Sequence, residues 1–190
     1  MFRELEFRGR VGFPIKSLDG NGLVAHSSVV TCLLKELLLL KSTKEHGYFL
    51  AITKLKSIGN GEFEEESSDI FFPVAFFCRT FLPVKGDVML GVVHKIYNRG
   101  VFLRCGPMQF VYLSATKMPS FHYIQQKTQE VFMNDDLMRI ETGVVIRFVV
   151  FAVSWRMKHW DTEREFFVLA SLEGDCLGPV SLPGSDELDS

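Results

Sequence analysis

The sequence predicts a small α+β unit over residues 1–82, followed by an all-β barrel over residues 83–178. An amphipathic helical repeat occurs early, whereas five short segments of strand-like alternation follow residue 86. Composition agrees with a chain rich in buried strands, because 18 Phe stand against 4 Tyr and 2 Trp. Phenylalanine has no polar group, so this excess also favours apolar subunit contacts or stacking surfaces. We therefore expect a protein that works with partners.

The first unit is predicted to contain one helix and at least three strands. Residues 2–13 alternate as a strand before Pro14, and two adjacent i, i+4 rows of apolar residues predict a helix over Ala25–Leu40. The rows are Val29, Leu33, Leu37 and Val30, Leu34, Leu38. Tyr48–Ile58 and Ile70–Thr80 are predicted strands, and Pro73 is expected to restrict the latter to a sheet edge or a bulge.

The second unit follows a joint at residues 83–87. Its predicted strands cover residues 87–97, 100–105, 109–114, 144–154 and 165–172. Five strands in about 90 residues fit a small barrel of the OB type. Residues 115–143 are expected to be a polar insertion, and residues 179–190 a disordered tail.

Alternation in this barrel predicts a face suited to single-stranded nucleic acid. Val101 and Leu103 share one side of a strand, opposite Phe102 and Arg104, and Tyr112 lies opposite the next aliphatic pair. Aromatic rings stack on bases while cations follow the phosphates. The predicted RNA-binding residues are Lys95, Arg99, Phe102, Arg104, Tyr112, Trp155, Arg156 and Lys158. Alternatively, Phe102 and Tyr112 pack against a neighbouring domain or the insertion.

Charge and motifs exclude several other functions. With 21 basic and 23 acidic residues, the chain lacks the positive field of a duplex-DNA or acidic-membrane binder. Four cysteines, expected to be reduced and buried, lack zinc-ligand spacing, so no metal is predicted. No nucleophile, phosphate-loop or dinucleotide motif is present, so neither catalysis nor a cofactor is expected. Without a leader pattern or an apolar run of about 20 residues, we expect an intracellular, soluble protein.

The barrel resembles the S1 class of RNA-binding OB folds, through the segments Gly86-Asp87-Val88 and Gly91-x-Val93-x-x-Ile96-x-x-x-Gly100-Val101-Phe102-Leu103. Over residues 1–180 the chain is similar to a narrower family, the seventh-largest subunit of DNA-dependent RNA polymerases, which has an archaeal relative. The segments that carry this similarity are 48–53, 57–61, Phe72-Pro73-Val74, 81–86 and Leu177-Gly178. The chain resembles the version found in plant RNA polymerases IV and V at residues 91–95, 104–107, 111–119 and 169–175.

This resemblance implies a non-catalytic stalk subunit of a nuclear polymerase, acting in RNA-mediated gene silencing. An RNP-like domain over 1–82 would dock on the polymerase core together with a fourth-type subunit, and an S1-like domain over 83–178 would face emerging RNA. The implied core contacts are Pro14, Gly59, Asn60, Gly61 and Phe63. A free-standing S1 factor of translation or RNA decay is the alternative, although such a factor should be basic overall.

Two departures from the family pattern bear on function. S1 domains often carry an aromatic residue directly before the turn glycine, where this chain has Arg99, so charge is expected to replace some base stacking. The second departure is the acidic run Glu64-Glu65-Glu66 in the implied docking loop. This run either tunes which polymerase core is accepted or is a solvated loop, and the solvated loop is favoured.

Overall fold

A computed structural model describes residues 1–64, 67–125, 130–157 and 164–180, which form one α-helix and many β-strands. The chain divides into two units, Met1–Leu82 and Pro83–Ser190. None of the helices in the described ranges is long and apolar enough to cross a membrane.

The first unit is an antiparallel sheet with a helix packed on one face. Its elements are β1 (Phe2–Pro14), α1 (His26–Leu40), β2 (Ser42–Thr43), β3 (Gly47–Ile58), β4 (Glu62–Phe63) and β5 (Asp69–Phe81). The strand order is β1-β5-β3-β2, and β4 pairs with β5. The core holds Val29 and Leu33 of α1 against alternate residues of β5, namely Ile70, Phe72, Val74, Phe76 and Cys78.

Strand β5 is not an edge strand, because it lies between β1 and β3. At Pro73 its partner side holds one extra residue, since Ile58 pairs with Val74 and Glu62 with Phe71, so the bulge expected there is present. The Pro73 carbonyl accepts a hydrogen bond from the Gly59 N–H, at 2.7 Å. In a strand the N–H and C=O of one residue point to the same side, so the missing donor of Pro73 also faces Gly59. There β3 has ended at Ile58 and β4 has not begun, so no strand requires this donor.

Strand β3 contacts β5 through an irregular ladder. Register shifts occur between Phe49 and Ala51, between Ile52 and Lys54, and between Leu55 and Ser57. Each shift inserts one residue, so the residues that pack on the core recur every three positions. They are Phe49, Ile52, Leu55 and Ile58. Leu50, which regular two-residue alternation would place on the same side as Ile52, is 39% exposed.

The second unit is built on a closed barrel. Its strands are β6 (Val88–Tyr97), β7 (Gly100–Cys105), β8 (Met108–Ser114), β12 (Val145–Met157) and β13 (Arg164–Ser171). The order is β13-β8-β7-β6-β12, and β13 also pairs with β12, which closes the barrel. The pairing of β13 with β8 is parallel and the other pairings are antiparallel. Among the fully buried interior residues are Val101, Leu103, Met108, Val111, Leu113, Ile146, Phe148 and Val168.

The insertion between β8 and β12 is more structured than a polar loop. It holds β9 (His122–Gln125), β10 (Glu130–Met133) and β11 (Arg139–Ile140), which form an antiparallel sheet in the order β11-β10-β9. Phe132 and Ile140 of this sheet are 1% and 0% exposed. The apolar residues of this small core are widely spaced among polar ones, so the sequence pattern did not predict these strands.

Two further expectations are corrected. Pro179, expected to begin the tail, belongs to β14 (Gly178–Pro179), which pairs with Ile146 and Arg147 of β12; residues 181–190 lie outside the described residues. The four cysteines do not all lie in the core. Cys78 and Cys105 are buried, but Cys176 is exposed and Cys32 is half-buried. Burial raises the pKa of the Cys105 thiol to about 11.

Candidate nucleic-acid interface

The outer surface of β6, β7 and β8 carries the predicted aromatic and cationic residues. On β7, Val101 and Leu103 are fully buried, whereas Phe102 is half-buried and Arg104 is exposed. On β8, Val111 and Leu113 are likewise fully buried and Tyr112 is half-buried on the outer side. Strand alternation therefore divides each strand between the barrel interior and an outer face.

Four rings form a cluster on this face, which we name the four-ring cluster: His94, Tyr97, Phe102 and Tyr112. Phe102 lies at its centre, with ring centroids 4.9 Å from Tyr112, 6.0 Å from Tyr97 and 6.4 Å from His94. The contacts of Phe102 with Tyr97 and His94 are edge-to-face, at interplanar angles of 86° and 65°. Phe102 and Tyr112 are direct cross-strand partners. Edge-to-face pairs of this kind stabilise a fixed arrangement of the rings.

Hydrogen bonds to one backbone carbonyl hold the turn between β6 and β7 against β8 and the residue that follows it. The Arg99 carbonyl accepts hydrogen bonds from the Tyr112 hydroxyl at 2.7 Å and from the Ala115 N–H at 2.9 Å. The Tyr112 hydroxyl is thus engaged with the backbone of the same unit. This bond holds the Asn98-Arg99 turn beside the four-ring cluster.

The outer face of β6, β7 and β8 carries exposed positive charge. Lys95, Arg99 and Arg104 are exposed, and within the described ranges none of them forms an ion pair with an acidic side chain. Burial lowers the pKa of His94, and the charges of Arg104 and Lys95 lower it further, against an opposing hydrogen bond with the Phe102 backbone. His94 is therefore neutral at physiological pH, and its buried Nδ1 has no partner in the described structure.

Trp155 and Arg156 lie on β12 rather than in the four-ring cluster. The Trp155 ring packs on Phe166, with centroids 4.5 Å apart, and Phe166 is 3% exposed. The Arg156 guanidinium lies 5.3 Å from the centroid of Phe167. Leu169, two residues beyond Phe167, is the register partner of Tyr112 on β8, so Arg156 and Phe167 extend the outer face by one strand. Lys158 lies outside the described residues.

The predicted core-contact residues meet at one end of the first unit's sheet. Pro14 ends β1 opposite Asp69, and Phe63 of β4 pairs with Ile70 and is 73% exposed. Three more residues occupy the connection between β3 and β4, namely Gly59, Asn60 and Gly61. Of the acidic run, Glu64 is bonded to Arg10 at 2.8 Å, whereas Glu65 and Glu66 lie outside the described residues.

Sequence reasoning missed two members of the four-ring cluster, His94 and Tyr97. The ladder between β6 and β7 shifts register between Val93 and Lys95. This bulge leaves His94 half-buried and Lys95 exposed, so two consecutive residues depart from simple alternation. Tyr97 could have been predicted from the Asn98-Arg99 turn. It is the last residue of the strand before that turn, and it follows the buried Ile96, so alternation places it on the outer face.

The arrangement offers aromatic rings and cations. Across the ranges that the structure describes, no group of three His, Cys, Asp or Glu side chains is placed to hold a metal ion. The outer face of β6, β7 and β8 can stack on planar groups and attract phosphates.

Comparison with known proteins places the chain in a family. It is 42% identical to the Arabidopsis thaliana DNA-directed RNA polymerase subunit 7-like protein over 199 residues, covering 98% of each chain. It is 42% identical to A. thaliana DNA-directed RNA polymerase V subunit 7, covering 95% of this chain and 99% of that protein. The A. thaliana polymerase IV subunit 7 is 38% identical, with 94% and 99% covered. No family model matches the sequence. At this identity and coverage, the chain belongs to the subunit 7 family of DNA-directed RNA polymerases, and it is similar to the plant polymerase IV and V members.

Proposed function

We propose that the chain is a non-catalytic stalk subunit of a nuclear RNA polymerase of the plant IV or V type, acting in RNA-mediated gene silencing. The first unit is an RNP-like domain that docks on the polymerase core together with a fourth-type subunit. The barrel is an S1-type OB fold that contacts single-stranded RNA as it leaves the enzyme. Near-full-length similarity to subunit 7 proteins of polymerases IV and V supports this assignment.

The observation that carries the RNA-binding part is the outer face of β6, β7 and β8. A closed five-stranded barrel presents the four-ring cluster beside three cations that no acid neutralises within the described ranges. Each ring that stacks on a base contributes about 1–3 kcal/mol to single-strand binding and tolerates any sequence. Such a face suits a subunit that meets many different transcripts.

The proposed docking role rests on the end of the first unit's sheet where Pro14 and Phe63 lie. Phe63 is 73% exposed there, beside Pro14 and the connection that contains Asn60. Covering an exposed aromatic ring in an assembly removes apolar surface from water, so Phe63 supports a docking role at this end. The implied partners are therefore protein subunits at this end and RNA at the barrel.

Assembly is tested by purifying the tagged 190-residue chain from plant nuclei and identifying stoichiometric partners by mass spectrometry. We expect a fourth-type subunit together with the large polymerase subunits, and a Phe63→Asp variant should recover less of the core. Recovery with ribosomal or RNA-decay components in place of polymerase subunits would support a free-standing S1 factor instead.

RNA contact is tested by replacing two central rings, Phe102→Ala with Tyr112→Ala. We expect single-stranded RNA binding to weaken at least about 10-fold in a gel-shift titration while partner recovery is unchanged, because truncation removes the support of the face without touching the first unit. A double variant that binds RNA like the parent would contradict a role for this face.

A further inference from the structure

Tyr97 is the most accessible ring of the four-ring cluster. It is 48% exposed, whereas Phe102 and Tyr112 are each half-buried. Phe102 is enclosed by three rings, at centroid distances of 4.9, 6.0 and 6.4 Å. A base approaching from solvent therefore meets the surface of Tyr97, while most of the Phe102 ring is occupied by its neighbours.

The residue opposite Tyr97 has no side chain that could cover its ring. Tyr97 is the last residue of β6, and its cross-strand partner on β7 is Gly100, which has no side chain. A Cβ atom at position 100 would lie 2.9 Å from the Tyr112 hydroxyl oxygen, so this position cannot easily carry a larger residue. Cross-strand neighbours ordinarily cover part of one another on a sheet face. No side chain at position 100 covers Tyr97, and 48% of Tyr97 stays exposed.

Phe102 and the turn that follows Tyr97 support its ring. Phe102 contacts it edge-to-face at 86°, and the following turn is fixed by the two hydrogen bonds that the Arg99 carbonyl accepts. Ordered rings lose little conformational entropy when they bind, which favours stacking. Arg99, exposed in that turn, places a cation two residues from the ring.

We propose that Tyr97 is the base-stacking residue of the barrel and that Phe102 is a positioning residue that acts through it. This inference rests on the proposed single-stranded RNA binding of the same face. A base stacks on the exposed part of the Tyr97 ring, and Arg99 contacts the adjoining phosphate. Tyr97 thereby supplies the ring surface that Arg99, at the position before Gly100, cannot provide.

The test uses the full chain and a 12-nucleotide uridine RNA that contains one 4-thiouridine. Affinity is measured by fluorescence anisotropy, and the photo-crosslinked residue is identified by mass spectrometry. We expect Tyr97→Leu to weaken binding about 10-fold, because it removes one base stack. Tyr97→Phe should bind like the parent, since stacking needs the ring and not the hydroxyl, and Tyr97→Trp should bind more tightly. The crosslink should fall on Tyr97.

Phe102 is distinguished from Tyr97 by a double-mutant cycle. Phe102→Leu should weaken binding of the parent but add less than a twofold loss to Tyr97→Leu, because a positioning residue acts through its target. Phe151→Leu is the matched control: Phe151 is 42% exposed on β12, and its ring packs under the Lys117 ammonium, 4.0 Å away. This control should bind RNA like the parent.

The outcomes separate the inference from the proposed function. A parent chain that does not bind the RNA overturns the proposed RNA contact and the inference with it. A parent that binds, with Tyr97→Leu unchanged and the crosslink on Phe102 or Tyr112, overturns the inference alone. Independent, multiplying losses from Tyr97→Leu and Phe102→Leu also overturn the positioning role.

Discussion

Gly100 lies so close to the neighbouring strand that a side chain cannot fit there without a shift. Its φ is +148°, and a Cβ atom would lie 2.9 Å from the Ser114 Cα, with the Leu113 carbonyl oxygen nearer still. Both conditions exclude ordinary L residues. The close approach lets the Tyr112 hydroxyl reach Arg99 across the start of β7, so one glycine is needed for the geometry of the whole face.

Gly100→Ala is expected to destabilise the second unit by about 3 kcal/mol or more, because a backbone clash is added to an unfavourable φ. Gly106→Ala is the matched control, since φ is +54° there but no atom lies within 4 Å of the added Cβ. Gly106→Ala should lower the free energy of unfolding by about 1 kcal/mol. Urea unfolding of both variants measures the difference, and equal losses would contradict the clash.

His94 is expected to make the stability of the second unit depend on pH. Its pKa is lowered in the folded chain by burial and by Arg104 and Lys95, whereas an unfolded chain titrates near its ordinary value of about 6.5. Well above that ordinary value both states are neutral at this residue. As the pH falls from about 6.5 to the lowered pKa, the unfolded state binds the proton first, so the free energy of unfolding decreases.

His94→Gln should remove this component. Urea unfolding at about pH 7.5 and about pH 5.5, on either side of the ordinary histidine pKa, should give a smaller loss of stability for the variant than for the parent. A variant that loses as much stability as the parent over the same interval would show that other groups carry the pH dependence. The comparison within each protein cancels any constant effect of the substitution.

At the scale of elements, regular alternation could be predicted and bulges could not. Residues 101–103 and 111–113 lie in regular pairing, so their buried and outer sides follow directly from the sequence. The shift at His94 and the three shifts in β3 change which side a residue faces, and no residue type marks them. Pro73 is tolerated in an interior strand because its missing donor faces the interruption between β3 and β4, where the ladder has one extra residue.

Strand β3 provides a matched pair of leucines for testing its three-residue spacing. Leu55 packs against the core, whereas Leu50 is 39% exposed. Leu55→Ala should destabilise the first unit by about 1–2 kcal/mol, less than full burial would give, and Leu50→Ala by at most about 0.5 kcal/mol. Thermal unfolding of the two variants measures both. A larger loss of stability for Leu50→Ala than for Leu55→Ala would show that β3 follows simple two-residue alternation instead.

For the whole molecule, the net charge of −2 means that overall charge cannot supply the RNA attraction that we propose. The proposed attraction depends instead on where the cations lie. Lys95, Arg99 and Arg104 lie on the outer face, whereas several cations of the first unit are paired with acids, such as Lys56 with Glu6 at 2.7 Å. In the proposed function, a near-neutral chain avoids indiscriminate binding to nucleic acid, and the local cations of the barrel attract a strand that is delivered to it.

Arg99→Glu tests this local origin of affinity. Each phosphate contact with a single strand adds about 0.7 to the slope of log affinity against log salt concentration. Three contacts predict a slope of about −2, and Arg99→Glu should reduce its magnitude by about 0.7 or more. Lys54→Glu, at an exposed position in the first unit, makes the same change in net charge. In anisotropy titrations at several salt concentrations, the slope for Lys54→Glu should equal that of the parent. Equal reductions in both variants would mean that overall charge, and not the barrel face, attracts the RNA.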